Sequence, residues 1–167
     1  MSELSLKGEN ISKYFIRKRY IFRDINVNVS NGEILAVTGE NGSGKTTFLK
    51  ILAGILKPTY GNLKLDLGGQ EVGNDEIRDH ISFVAPYLVL YEEFTPLEHI
   101  RIINKIRGSK YDEERTIKLL KRFNLNTRRY EPIRNFSSGM KQRMKYILAL
   151  SYESDLLFLD EPMTNLD

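Results

Sequence analysis

The sequence predicts an α/β fold in which a mixed-sheet lobe encloses a helical subdomain. Three observations predict it. A short apolar run, Ile34-Leu35-Ala36-Val37, leads into a glycine-rich loop and then into apolar residues at helical spacing. From about residue 86 to residue 151 the texture is helical, with three periodic stretches. A second apolar run, Leu156–Leu159, follows and closes on two acids.

The elements follow in order. Ile25, Val27 and Val29 alternate with Asn26, Asn28 and Ser30, the period of a half-buried strand. Asn31-Gly32 marks a turn. Ile34–Val37 reads as a buried strand. Lys45 to Ala53 reads as a helix, with Phe48, Leu49, Ile51 and Leu52 on its apolar face and Gly54 and Pro58 past its end. Asn62–Leu67 and His80–Val84 are strand candidates separated by a turn-rich stretch. Thr95-Pro96-Leu97-Glu98 is a helix start: Thr95 caps, Pro96 takes the first helical position, and Glu98 reaches back. That helix runs to about Arg107, where Gly108-Ser109 breaks it. Tyr111–Phe123 and Ser138–Ser151 are the other two helices, and Leu156–Leu159 is a second buried strand. The division expected is 1–85 for the sheet lobe, 86–151 for the helical subdomain, and 152–167 for the return to the lobe.

Composition narrows the function classes. The chain has 167 residues, the size of one domain, and 41% of them are hydrophobic, enough for an ordinary core. The net charge of +3 is mild and does not call for a nucleic-acid or lipid partner. The basic clusters Arg17-Lys18-Arg19 and Arg128-Arg129 read as solvated faces. With no cysteine and two histidines, neither a disulfide framework nor a zinc site is expected. Met1–Lys7 lacks an apolar signal core, and no apolar run approaches the roughly 20 residues of a membrane span.

Gly39-Glu40-Asn41-Gly42-Ser43-Gly44-Lys45-Thr46 fits the phosphate-loop pattern, with Thr47 following. Glycines let the backbone wrap closely and accept positive φ. Consecutive N–H groups then point inward as an anion nest, and the helix start adds its partial positive charge. Lys45 adds a full charge, and the Thr46 hydroxyl is a ligand of the type that hard Mg²⁺ prefers. Asp160 and Glu161 stand at the end of Leu156–Leu159, the strand end at which open α/β sheets bind ligands. Asp160 is placed to hold Mg²⁺, and Glu161 to polarise the water that attacks the γ-phosphate.

Asn135-Phe136-Ser137-Ser138-Gly139-Met140-Lys141-Gln142-Arg143 resembles the signature segment of ATP-binding cassette (ABC) ATPases, usually LSGGQ followed by x-Q-R. Ser137, Gly139, Gln142 and Arg143 match; Phe136, Ser138 and Met140 depart. Asp160-Glu161-Pro162 looks like the family's Walker B end, and Asn165-Leu166-Asp167 like its D-loop. The resemblance runs from about residue 4 to 167. It implies an α/β P-loop NTPase of ABC type that binds and hydrolyses Mg-ATP. It implies a head-to-tail homodimer in which Ser137, Ser138 and Gly139 grip the γ-phosphate of ATP held by a second subunit. It also implies an aromatic ring stacked on adenine, for which Phe15 best fits the spacing and Tyr14 is the alternative.

Two departures matter. The family usually places a Mg²⁺-touching Gln where this sequence has Pro86, which offers no side-chain acceptor and no N–H. A water or the Ala85 carbonyl is left to substitute. The family's C-terminal strand and its γ-phosphate-sensing His are also missing from this sequence, so full hydrolysis by this chain alone is in question. The leading functional expectation is the ATPase subunit of a membrane transporter. It would lie at the cytoplasmic face of the inner membrane and meet a transmembrane permease subunit through about Pro86–Ile100. The alternatives are a soluble ABC ATPase of DNA repair, translation or iron–sulfur assembly, and a nucleotide-binding regulator with little hydrolysis.

Overall fold

The computed structural model describes residues 3–16 and 19–161. The chain divides into two compact units, residues 1–81 and 82–167.

In the first unit, β1 (Leu4–Tyr14), β2 (Tyr20–Ser30), β3 (Tyr60–Leu67) and β4 (Gln70–Val72) form an antiparallel sheet in the order β2-β1-β3-β4. Leu6 is the hinge of the register, opposite Val29 on one side and Leu65 on the other, and all three side chains are buried. The alternation expected over 25–29 is present, with Asn26 and Asn28 exposed. β1 runs for 11 residues although its apolar alternation is broken, and the sequence reading names no strand before residue 25. The break is a bulge: Asn10 has φ 53, and the pairing shifts register on both sides of it. Gly61 on β3 answers that bulge, because a Cβ there would lie 2.4 Å from the Asn10 carbonyl oxygen. Helix α1 (Lys45–Leu52) forms as the periodicity indicates and buries Phe48, Ile51 and Leu52.

The run Ile34–Val37 departs from expectation. It takes up no strand, and Ile34 is 96% exposed. No strand among the described residues pairs with it, and apolar side chains alone do not make a strand when the backbone lacks a ladder partner.

In the second unit, β5 (Ile81–Val84) pairs with β6 (Leu156–Leu159) in a separate two-stranded sheet. β6 is therefore a strand, but not the buried one its composition predicts. Only Phe158 is buried, stacked on Phe83 at a centroid distance of 6.2 Å, while Leu157 and Leu159 are exposed. Helices α2 (Pro96–Ile106), α3 (Glu113–Arg122) and α4 (Ser138–Leu150) pack around Leu97, Ile100, Leu120, Leu125, Met144 and Ile147. The capping box of α2 is complete: Glu98 N donates to Thr95 Oγ1 at 3.3 Å, and Thr95 N donates to Glu98 Oε2 at 2.8 Å. Inside this unit burial pushes His99 down to about 4, so it is a neutral core residue near neutral pH.

Candidate functional site

The phosphate loop is built by three left-handed glycines. Gly39, Gly42 and Gly44 have φ of 151, 81 and 97. Between them Ser43 N donates to the Glu40 carbonyl at 3.2 Å, closing the turn over Asn41 and Gly42. Gly44 is the N-cap of α1, and a Cβ there would lie 2.3 Å from Ile21 Cγ2 and 3.2 Å from the Phe22 ring. Both the dihedral and the space therefore demand glycine. No side chain caps α1 and no acid stands in its first turn, so its opening dipole is not met by a charge of the helix's own.

Lys45 turns back across the loop. Its Nζ donates to the carbonyl oxygens of Gly39 and Glu40, both at 2.8 Å. The ammonium is thus held over the turn that the sequence predicts to form the nest. An open cleft of about 440 Å³ adjoins it, lined by Val37, Thr38, Gly39, Ser43 and Lys45 together with Phe22. Thr46 and Thr47 follow in the first turn of α1. All nine residues expected at the phosphate, Gly39 through Thr47, are therefore gathered in one loop and helix start.

Phe15 and Tyr14 differ in their surroundings. The Phe15 ring is 62% exposed, with Lys13 Nζ 5.1 Å from its centroid. Tyr14 packs edge-on against Tyr20 at 5.3 Å and beside Tyr60 at 6.2 Å. Phe15 is the ring that presents a face to solvent.

The remaining site residues lie in the second unit. Ser137 is the N-cap of α4 and accepts from Met140 N at 3.3 Å. Ser138 opens the helix, Gly139 follows, and both are at the surface or nearly so. Gln142 is 3% exposed, and its Nε2 has no hydrogen-bond partner, nor has Arg143 Nε. Asp160 follows β6 directly and is 4% exposed; its backbone N donates to the Val84 carbonyl at 2.8 Å, which stitches it to the end of β5. Glu161 is exposed and has φ 48, a left-handed conformation uncommon outside glycine. The D-loop expectation, Asn165-Leu166-Asp167, lies outside the described residues, as do Pro162 and the basic residues Arg17 and Lys18.

One contact has no counterpart in the sequence reading. Lys145, on α4, donates from Nζ to the carbonyl of Ala85 at 3.3 Å and to that of Pro86. Its only signal in the sequence is a lysine between Met144 and the mostly apolar end of the helix, Tyr146–Leu150.

A glycine nest at a helix start, roofed by a lysine ammonium, defines an α/β protein of the phosphate-loop nucleotide-binding class. The comparisons carry this further. The family model for ABC transporters matches residues 22–164. A lantibiotic transport ATP-binding protein, SrtF of Streptococcus pyogenes, is 32% identical over 162 residues, covering 97% of this chain and 68% of that protein. The ATP-binding subunit of an ABC transporter superposes with a TM-score of 0.81 at 30% identity, over 97% of this chain and 68% of the other. An ATP-binding cassette solved as a dimer in a post-hydrolysis state with ADP and Pi gives 0.78 at 29% identity, over 97% and 76%. The chain belongs to the ABC transporter family, of which it carries the ATP-binding domain. It is an ATPase-type P-loop fold.

Proposed function

We propose that this chain binds Mg-ATP at residues 39–47 and hydrolyses it with Glu161, energising a membrane-embedded partner. The observation that carries the reading is the Gly44-capped start of α1 under the Lys45 ammonium. The amides of the loop and first turn bind the phosphate oxygens, and Lys45 leaves its two carbonyls to join them. Phe15 stacks on the base, because a flat exposed ring offers adenine a face.

Thr46 and the near-buried Asp160 are hard oxygen donors, the kind Mg²⁺ takes in small number alongside substrate phosphates. When bound, the ion neutralises charge on the phosphate oxygens. Glu161, exposed one residue beyond Asp160, orients the attacking water and accepts its proton. Ser137, Ser138 and Gly139 grip the γ-phosphate of ATP held by a second copy, arranged head to tail.

A transmembrane partner meets the segment after Pro86. Tyr87, Val89 and Tyr91 are exposed there, Val89 by 88%, and no helix among the described residues is long and apolar enough to cross a membrane. The reading places the chain at the cytoplasmic face of that partner, with residues 1–85 and 152–167 as the ATP-binding lobe and 86–151 as the helical subdomain.

A paired experiment tests the assignment. Lys45→Ala should weaken binding of a fluorescent ATP analogue by about 10²-fold, the loss of roughly one charge-assisted phosphate contact. Glu161→Gln should keep the affinity, lose turnover, and trap an ATP-dependent dimer by light scattering. Unchanged affinity in the first variant, or unchanged turnover in the second, sinks the corresponding half of the proposal.

A further inference from the structure

β5 and α4 are tied at two points. Near the start of the strand, Ser82 Oγ donates to the Ala149 carbonyl at 2.6 Å and meets Ser154 Oγ at 2.8 Å. Past the strand's end, Lys145 Nζ meets the carbonyls of Ala85 and Pro86. The strand residue number rises while the helix residue number falls, so α4 runs back along β5. The first tether uses neutral hydroxyls in a buried place. The second uses an ammonium.

The second tether is needed because of what Pro86 lacks. Proline has no N–H and no polar side chain, so Pro86 itself can be held only by its carbonyl, while Leu88 N donates to the Ala85 carbonyl at 3.2 Å across the same turn. Ala85 adds one more carbonyl. A long donor with several protons is the side chain that can reach both, and lysine has three. Burial also pushes Lys145 below the usual lysine range, so this ammonium has given up part of its water for those two oxygens. The turn it holds continues directly from Val84, whose carbonyl accepts from Asp160 N. One unbroken set of contacts therefore joins α4, the 85–86 turn, and the strand end that bears Asp160 and Glu161.

We propose that Lys145 is a positioning residue, clamping the Ala85-Pro86 turn to the signature helix and thereby fixing the strand end that carries Asp160 and Glu161. The inference rests on the hydrolysis reading for its consequence, but the clamp can be measured without nucleotide. Lys145→Met keeps the length of the stem and removes the donors; Lys145→Arg keeps a charged donor.

The test combines amide hydrogen exchange in the nucleotide-free full chain with steady-state ATPase kinetics. In Lys145→Met, exchange at residues 87–92 and 159–161 should quicken, and kcat should fall about tenfold while the affinity for a fluorescent ATP analogue stays within about twofold. Lys145→Arg should restore most of both. Exchange that does not change overturns the clamp, and faster exchange with kcat intact overturns its role in turnover. If methionine unfolds the chain, Lys145→Gln is read in the same way. A parent chain that fails to bind the analogue sinks the nucleotide reading instead, and the exchange rates then judge the clamp alone.

Discussion

Helices α1 and α4 both begin at a site assigned to phosphate, yet they begin differently. α1 starts on a glycine that provides no side-chain cap, in a left-handed conformation, with a lysine folded over it. α4 starts on Ser137, whose hydroxyl already accepts the Met140 amide. The first start gives up a cap and leaves its nest to an anion. The second is a self-sufficient helix start of the kind found in many proteins. The difference is that the start of α1 leaves its backbone amides without a side-chain partner, whereas α4 is capped by its own Ser137; under the proposed function, the first start serves the chain's own nucleotide and the second one held by another copy.

Three substitutions sharpen this contrast, in decreasing order of effect. Gly44→Ala forces an L side chain into φ 97 and against Ile21, so it should cost about 2–5 kcal/mol of stability and abolish analogue binding. Thermal denaturation and a binding titration check it; an alanine variant as stable as the parent would break the claim that the start of α1 demands glycine. Ser137→Ala removes one cap, a loss of about 1 kcal/mol seen as a lowered midpoint in urea, with analogue affinity of the isolated monomer unaltered. An affinity loss in the monomer would contradict the contrast. Lys141, in the first turn of α4, is a cation at the helix end that favours anions, and Glu92 holds it at 2.7 Å. That pair is partly exposed, so Lys141→Gln should move stability by less than about 1 kcal/mol.

Legibility in the sequence tracked locality. The phosphate loop and the capping box of α2 were readable because each depends on residues a few positions apart, such as Thr95 and Glu98. β1 was harder, since the bulge at Asn10 interrupts its period and the compensating glycine, Gly61, is distant in sequence. Ile34–Val37 and Leu156–Leu159 look alike as strings. Only the second finds a neighbouring strand, and even there Phe158 alone is buried. Pairing is a property of the partner, and hydrophobicity does not encode it. Phe15 fits the adenine spacing best, with Tyr14 the alternative; in the structure Tyr14 lies among the Tyr20 and Tyr60 rings, while Phe15 is exposed. Lys145 was invisible because its acceptors are about 60 residues away, as the separation of 60 from Ala85 shows.

Glu161 occupies a backbone conformation in which glycine or asparagine would be more comfortable. Relieving a left-handed non-glycine residue is worth about 1–2 kcal/mol. A library screened on heat resistance alone should therefore drift toward glycine at this place, and, on the catalytic role proposed for Glu161, the hardiest clones should be the ones that no longer turn over. Under that proposal, selection for endurance and selection for chemistry pull in opposite directions at position 161.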